Sequence, residues 1–118
     1  MIVPDASVLV DVLRCSDGWE GLAARLFRDG ETLHAPHVVD LEVAQALRGS
    51  VRRGETGPVR AAEALTDLGD IPLYRYPHSH LLARIWDLRD SLTAYDASYV
   101  SLAEALEATL LTRDFRLA

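Results

Sequence analysis

The sequence predicts one α/β domain built on a mainly parallel sheet with helices covering both faces. Three observations carry this. Short apolar runs rich in Ile, Val, Leu and Thr alternate along the chain with stretches of helical period, the pattern of parallel strands joined by helical crossovers. No linker, repeat or low-complexity segment interrupts the 118 residues. Hydrophobic residues at 49% and charged residues at 25% suit one globular core, and the chain is too short for a second.

The elements follow in order. Ile2, Val3, Pro4 and Asp5 read as an opening strand, and residues 7–14 as a helix with Val8, Leu9, Val12 and Leu13 at helical spacing. Ser16, Asp17 and Gly18 break it. Residues 19–28 place Trp19, Leu22, Ala23, Leu26 and Phe27 on one helical face, with Gly30 just beyond. Residues 32–35 are a weak second strand. A longer helix spans 38–53 and ends at Gly54; Thr56, Gly57 and Pro58 turn into another that runs to about Leu68. Residues 71–76 make a third strand between Gly69-Asp70 and Pro77. Residues 79–90 are helical, Thr93 begins a helix to about Glu107, residues 109–112 form a fourth strand, and a further helix starts at Asp114.

Composition excludes several classes of function. The chain has no Lys, so all 12 basic residues are Arg; a phosphate-binding P-loop and Schiff-base chemistry both need a Lys. It has no Asn, which removes N-glycosylation. The apolar runs are too short to span a membrane, and no basic segment followed by a long apolar one opens the chain as a secretory signal. Cys15 is the single cysteine, so no disulfide framework exists, and a reducing cytoplasm is expected. It has no His near it in sequence and reads as an inert thiol; with His34, His37, His78 and His80 it makes no recognised zinc spacing. The net charge of -6 opposes direct phosphate binding. That objection fails for a nuclease whose acids hold divalent cations and whose cations face the phosphate.

The acids hold the signal. In an open parallel sheet the functional crevice lies at the carboxyl ends of the strands. Asp5 ends the first strand, Asp114 follows the fourth, and Asp96 sits at the start of the helix from Thr93. Glu42 points with the stripe Val39, Val43, Ala46 and Leu47, and an inward carboxylate is costly unless paired or bound to metal. Each acid also has an ordinary structural reading. Asp5 and Asp114 could cap helices, Asp96 could complete a capping box with Thr93, and Glu42 could pair with an Arg or lie on a rim. Taken together, the acids would repel one another, and hard divalent ions with oxygen ligands relieve that repulsion.

Four segments, "IVPDASVLVDVL", "HVVDLEVAQALR", "LTAYDASYVSLAEAL" and "TLLTRDFRLA", resemble the signature segments of PIN-domain nucleases, above all the VapC-type toxins of toxin–antitoxin pairs. The resemblance covers the whole chain, residues 1–118 as a single PIN-like domain, and its most specific part is "TAYDASYVSLAE" followed by "LLTRD". It implies a three-layer PIN-like fold. It implies that Asp5, Glu42, Asp96 and Asp114 are the catalytic, metal-binding acids, holding one or two Mg²⁺ or Mn²⁺ ions, with Ser7 and Thr112 orienting carboxylates by hydrogen bonds. It further implies RNA as substrate, a VapB-type antitoxin as partner, and pairing as a homodimer. Trp19, Phe27, Trp86, Tyr95 and Tyr99 read mostly as core, with some expected to line a dimer surface or an antitoxin groove, and Leu9, Leu13 and Trp19 are the candidate antitoxin contacts. Arg48, Arg52, Arg53 and Arg60 are expected either to form a basic rim guiding RNA phosphates or to be a solvated helix surface.

Two departures stand out. Phe115 and Arg116 follow Asp114 where some relatives have another acid or Asn. The chain also ends at Ala118, short of the family's usual last helix turn and edge strand, as a short natural form or a shortened one. The rival expectations are a PIN nuclease of RNA or DNA processing, a non-catalytic PIN-like binding module, and a receiver-like or haloacid-dehalogenase-like phosphotransfer domain. The missing Lys and the absence of a D-x-D at Asp5 count against the last.

Overall fold

The computed structural model describes residues 1–113, so Asp114 and the helix expected from it lie outside the described residues. The chain forms β1 (Ile2–Pro4), α1 (Ala6–Arg14), α2 (Trp19–Leu26), β2 (Leu33–Pro36), α3 (Val39–Arg52), α4 (Pro58–Asp70), β3 (Leu73–Tyr76), α5 (Leu82–Asp87), α6 (Ala94–Leu106) and β4 (Thr109–Leu111). The four strands pair in the order β3-β2-β1-β4, all parallel. Ile2 and Val3 are sealed on both faces, as central parallel strands require. Pro4 and Pro36 end β1 and β2, where a residue without an N–H closes the ladder.

The strand order fixes the layers. From β1 to β2 to β3 the chain steps one way across the sheet; from β3 to β4 it returns past β1 to the opposite edge. Right-handed crossovers therefore set α1–α4 on one face and α5 and α6 on the other. The packing agrees: α1 touches α2, α3 and α4, whereas α6 lies on β1, β2 and β4. The chain diverges in opposite senses at β1 and β4, so the crevice between their carboxyl ends is the topological switch point. Among the described residues no helix is long and apolar enough to cross a membrane.

Several expectations need correction. Leu9 and Leu13 are core residues, 0% and 5% exposed, and present nothing to a partner. The buried stripe of α3 runs Val39, Val43, Leu47 and Ser50, with Ala46 exposed, so Glu42 flanks the stripe instead of lying in it. Residues 79–90 are not one helix: a 3-10 turn at Ser79–Leu81 precedes α5, and the Leu88 N–H closes α5 early on the carbonyls of Arg84 and Ile85, with the Arg89 N–H on that of Trp86. The third strand begins at Leu73, because α4 continues through Asp70 and Ile71 leaves it in extended backbone. Of the aromatic residues expected in the core, Tyr99 is buried, but Phe27, Trp86 and Tyr95 are exposed.

Candidate active site

Asp5 is the N-cap of α1. Its Oδ1 accepts from the Val8 N–H at 3.1 Å, satisfying one of the unpaired donors of the first turn. The same oxygen accepts from the Ser7 hydroxyl, and Oδ2 accepts from the Thr112 hydroxyl. Thr112 is brought there by the sheet. β1 and β4 pair in register from Ile2 and Thr109 to Pro4 and Leu111, and the Asp5 N–H donates to the Leu111 carbonyl at 3.0 Å. The next residue on each strand thus meets the other across the switch point. Asp5 is 5% exposed, and among the described residues its carboxylate has three neutral donors and no cation for a hydrogen-bond or ion-pair partner. The Ser7 hydroxyl also accepts from the Arg113 N–H at 3.3 Å, tying the chain after β4 to the start of α1.

Glu42 lies in the first turns of α3, half-buried, and its Oε1 accepts from the Tyr99 hydroxyl at 2.6 Å. The partner is thus a phenol from α6, not the Arg that the ordinary reading would supply. Burial raises the Glu42 carboxyl above the usual carboxylate range; the Tyr99 bond opposes this, and the charges of Asp96 and Asp5 add to it. Burial, then the bond to Glu42, push the Tyr99 phenol far above its ordinary range, so it remains a donor at every physiological pH. Sequence reasoning placed Tyr99 in the core and missed its hydroxyl. The available signal was its position three residues after Asp96, which puts both on one helical face.

Asp96 is N3 of α6. Thr93 caps that helix, its hydroxyl accepting from the Asp96 N–H at 3.1 Å. The capping box is one-sided: among the described residues the half-buried Asp96 carboxylate has no hydrogen-bond or ion-pair partner. Three helix N-termini, those of α1, α3 and α6, thus deliver an acid each to the same edge of the sheet. Their positive ends offset part of the mutual repulsion. The three carboxylates sense one another electrostatically, but among the described residues no three His, Cys, Asp or Glu side chains stand close enough to share a metal ion as they lie.

The arginines divide. Arg48 lines an open depression of about 540 Å³ with Glu42, Leu41 and Tyr95, and has no partner among the described residues. Arg52 is exposed near the far end of α3, roughly 15 Å along the axis from Glu42. Arg53 is held by the Glu55 carboxylate at 2.8 Å. Arg60 donates to the Leu13 carbonyl and lies 3.7 and 3.8 Å from Glu63 and Asp67. The structure therefore brings Arg48 to the acidic edge and commits Arg53 and Arg60 elsewhere.

Comparison with known proteins gives a consistent result. Residues 2–118 match the PIN domain. Ribonuclease VapC9 of Mycobacterium tuberculosis is 44% identical over 118 residues, covering 100% of this chain and 89% of the relative. Ribonuclease VapC1 of the same species is 42% identical over 117 residues, covering 98% and 87%. Among solved structures, VapC20 of M. tuberculosis, a sarcin-ricin loop cleaving toxin, superposes with a TM-score of 0.73 at 16% identity over 99% of this chain and 92% of its own. PAE2754 from Pyrobaculum aerophilum gives 0.72 at 25% identity over 98% and 76%. By sequence and by architecture the chain belongs to the PIN domain family, with VapC ribonucleases among its relatives.

Proposed function

We propose that this chain is a divalent-metal-dependent endoribonuclease and the toxin of a toxin–antitoxin pair. Asp5, Glu42, Asp96 and Asp114 are its site carboxylates, RNA is its substrate, and a VapB-type antitoxin is its partner. A homodimer is the working unit and the cytoplasm the place of action. The VapC ribonucleases that align along the whole chain support the activity. The observation that carries the site is the buried Asp5 at the switch point: Ser7, Thr112 and the Val8 N–H orient it, and its charge reaches Glu42 together with that of Asp96.

The donor set fits a hard divalent ion, because every candidate ligand is an oxygen and none is sulfur or imidazole. Asp5, Glu42, Asp96 and Asp114 would hold one or two Mg²⁺ or Mn²⁺ ions, which would supply acidity to a bound water and positive charge facing the phosphate. The protein's own residues do the rest. Ser7 and Thr112 hold each oxygen of Asp5 in place. Tyr99 holds Glu42 by Oε1, and among the described residues Oε2 has no hydrogen-bond partner. Glu42, with its proton affinity raised by burial and by its acidic neighbours, is the carboxylate best suited to take up the proton that the attacking water loses.

The test is cleavage of total RNA by the purified chain in Mg²⁺ and in EDTA, beside Asp5→Asn and Asp96→Ala. Cleavage is expected only in Mg²⁺ and only by the unmodified chain, with both variants folded by circular dichroism. Cleavage that survives EDTA or Asp5→Asn overturns the proposal. Growth arrest on expression, relieved by the co-expressed neighbouring antitoxin, separates a toxin from a processing nuclease.

A further inference from the structure

Tyr95 is the residue before Asp96, and it does not join the core. It is 61% exposed at the second position of α6. Its backbone is fixed, because its carbonyl accepts from the Ser98 hydroxyl at 2.6 Å. Its ring lies where two depressions meet. One, about 540 Å³, holds Glu42, Leu41 and Arg48; the other, about 230 Å³, holds His78, Leu82, Ile85 and Ser98, and both include Val38 and Tyr95. A groove with mostly apolar walls therefore begins at a site carboxylate, passes over an exposed aromatic ring, and carries an unpaired guanidinium on its rim.

Those three features match one chemistry. A nucleobase has two apolar faces and a polar edge, and it stacks on a rigid aromatic side chain whatever its sequence. The phosphate next to it needs a cation at the groove edge, and Arg48 stands six residues down α3 from Glu42, about 9 Å along the axis. A base inside a duplex has no free face, so only an unpaired base can use the ring.

We infer that Tyr95 is the stacking platform for an unpaired nucleobase of the RNA substrate, adjoining the phosphate to be cut, with Arg48 contacting a neighbouring phosphate. This rests on the ribonuclease reading. It adds to that reading a preference for single-stranded segments and a residue that governs substrate binding more than the chemical step.

The experiment compares the unmodified chain with Tyr95→Ala and Tyr95→Phe. Cleavage of a short single-stranded RNA is followed in Mg²⁺, and binding of fluorescein-labelled single-stranded and duplex RNA is followed by anisotropy. Tyr95→Ala should raise KM and weaken single-strand binding on the order of 10-fold, with kcat changed little. Tyr95→Phe should restore both, because stacking needs the ring and not the hydroxyl. Equal KM and binding in Tyr95→Ala overturn the inference while leaving the nuclease reading intact. A chain that binds single strands through Tyr95 but cuts nothing overturns the nuclease reading and the placement beside a cut phosphate, and leaves only the stacking. If Tyr95→Ala loses only its hold on the antitoxin, with RNA kinetics unchanged, the ring belongs to a protein interface and the inference fails.

Discussion

At the amino end of the sheet Glu31 is clamped between the Met1 ammonium at 2.8 Å and the Arg25 guanidinium at 3.2 Å, and the bond to the chain terminus leads in holding its carboxyl below the usual range. At the carboxyl end Glu42 has a phenol for a partner, and burial moves its carboxyl the other way. The contrast recurs within one turn of α3, where Asp40 is gripped by Arg75 through Nε and Nη2 at 2.8 Å and Glu42, two residues on, pairs with no cation among the described residues. An acid that holds the fold together brings its own cation. In the crevice Asp5 and Glu42 are held by hydroxyls and an amide, which orient a carboxylate without neutralising it, and that leaves their charge for a metal ion.

The largest effect should come from removing such an orienting hydroxyl. Tyr99→Phe keeps the buried ring and deletes the bond to Glu42. Loss of a partner of this kind costs about 10–100-fold in metal affinity or activity, and Ser7→Ala should act the same way through Asp5. Arg84→Ala, which breaks the exposed pair with Glu104, should leave cleavage unchanged. The measurement is the Mg²⁺ dependence of cleavage. If Tyr99→Phe matches the unmodified chain, the phenol is packing and nothing more.

A smaller effect has opposite signs at the two ends. Glu42→Gln removes a charge that the folded state disfavours and keeps an acceptor for Tyr99, so in EDTA the melting temperature should rise by roughly 2–5 °C. Glu31→Gln removes a charge that the folded state favours, so its melting temperature should fall. Added Mg²⁺ should stabilise the unmodified chain and stabilise Glu42→Gln less. Equal shifts in both variants would erase the distinction between paired and site acids.

The fold was legible because its punctuation is local. Pro4, Gly18, Gly57-Pro58 and Thr93 mark element ends by backbone chemistry that needs no tertiary context. That the chain after β4 ends beside Asp5 was legible through topology, since parallel neighbours end at one edge, while the Thr112 hydroxyl was implied by the family resemblance alone. Side-chain direction was harder to read. In α6 the residues Ala97, Ser98, Tyr99, Ser101, Leu102 and Ala103 are all buried, so the helix has almost no polar face to set its phase, and Tyr95 and Tyr99 looked alike. Their different fates depend on depth, Tyr95 in the exposed first turn and Tyr99 against the sheet. Likewise, the bond from Tyr99 to Glu42 spans 57 residues, and no local pattern encodes it.

The smallest effect tests a buried polar group that is not itself an acid. His34 on β2 is 6% exposed; its Nδ1 lies 2.6 Å from the Tyr76 hydroxyl and its Nε2 2.9 Å from the Thr32 hydroxyl, and its ring stacks on Tyr74 at 5.2 Å. Burial, then repulsion from the chain-terminal ammonium, lower its pKa from the ordinary 6.5, against a weaker opposing pull from Glu31. The folded state therefore favours the neutral ring. Stability from this group is complete above pH 6.5 and declines as the pH falls from there toward the lower folded value, since the unfolded chain takes up the proton first. His34→Phe fills the same stack and cannot titrate. Across that acid window the unmodified chain should lose melting temperature more steeply than His34→Phe, and because both share Glu31 and Glu42, the difference in slope belongs to His34. Parallel slopes would mean that the imidazole keeps its solution proton affinity in the fold, and that burial at the sheet does not by itself decide the charge of a side chain there.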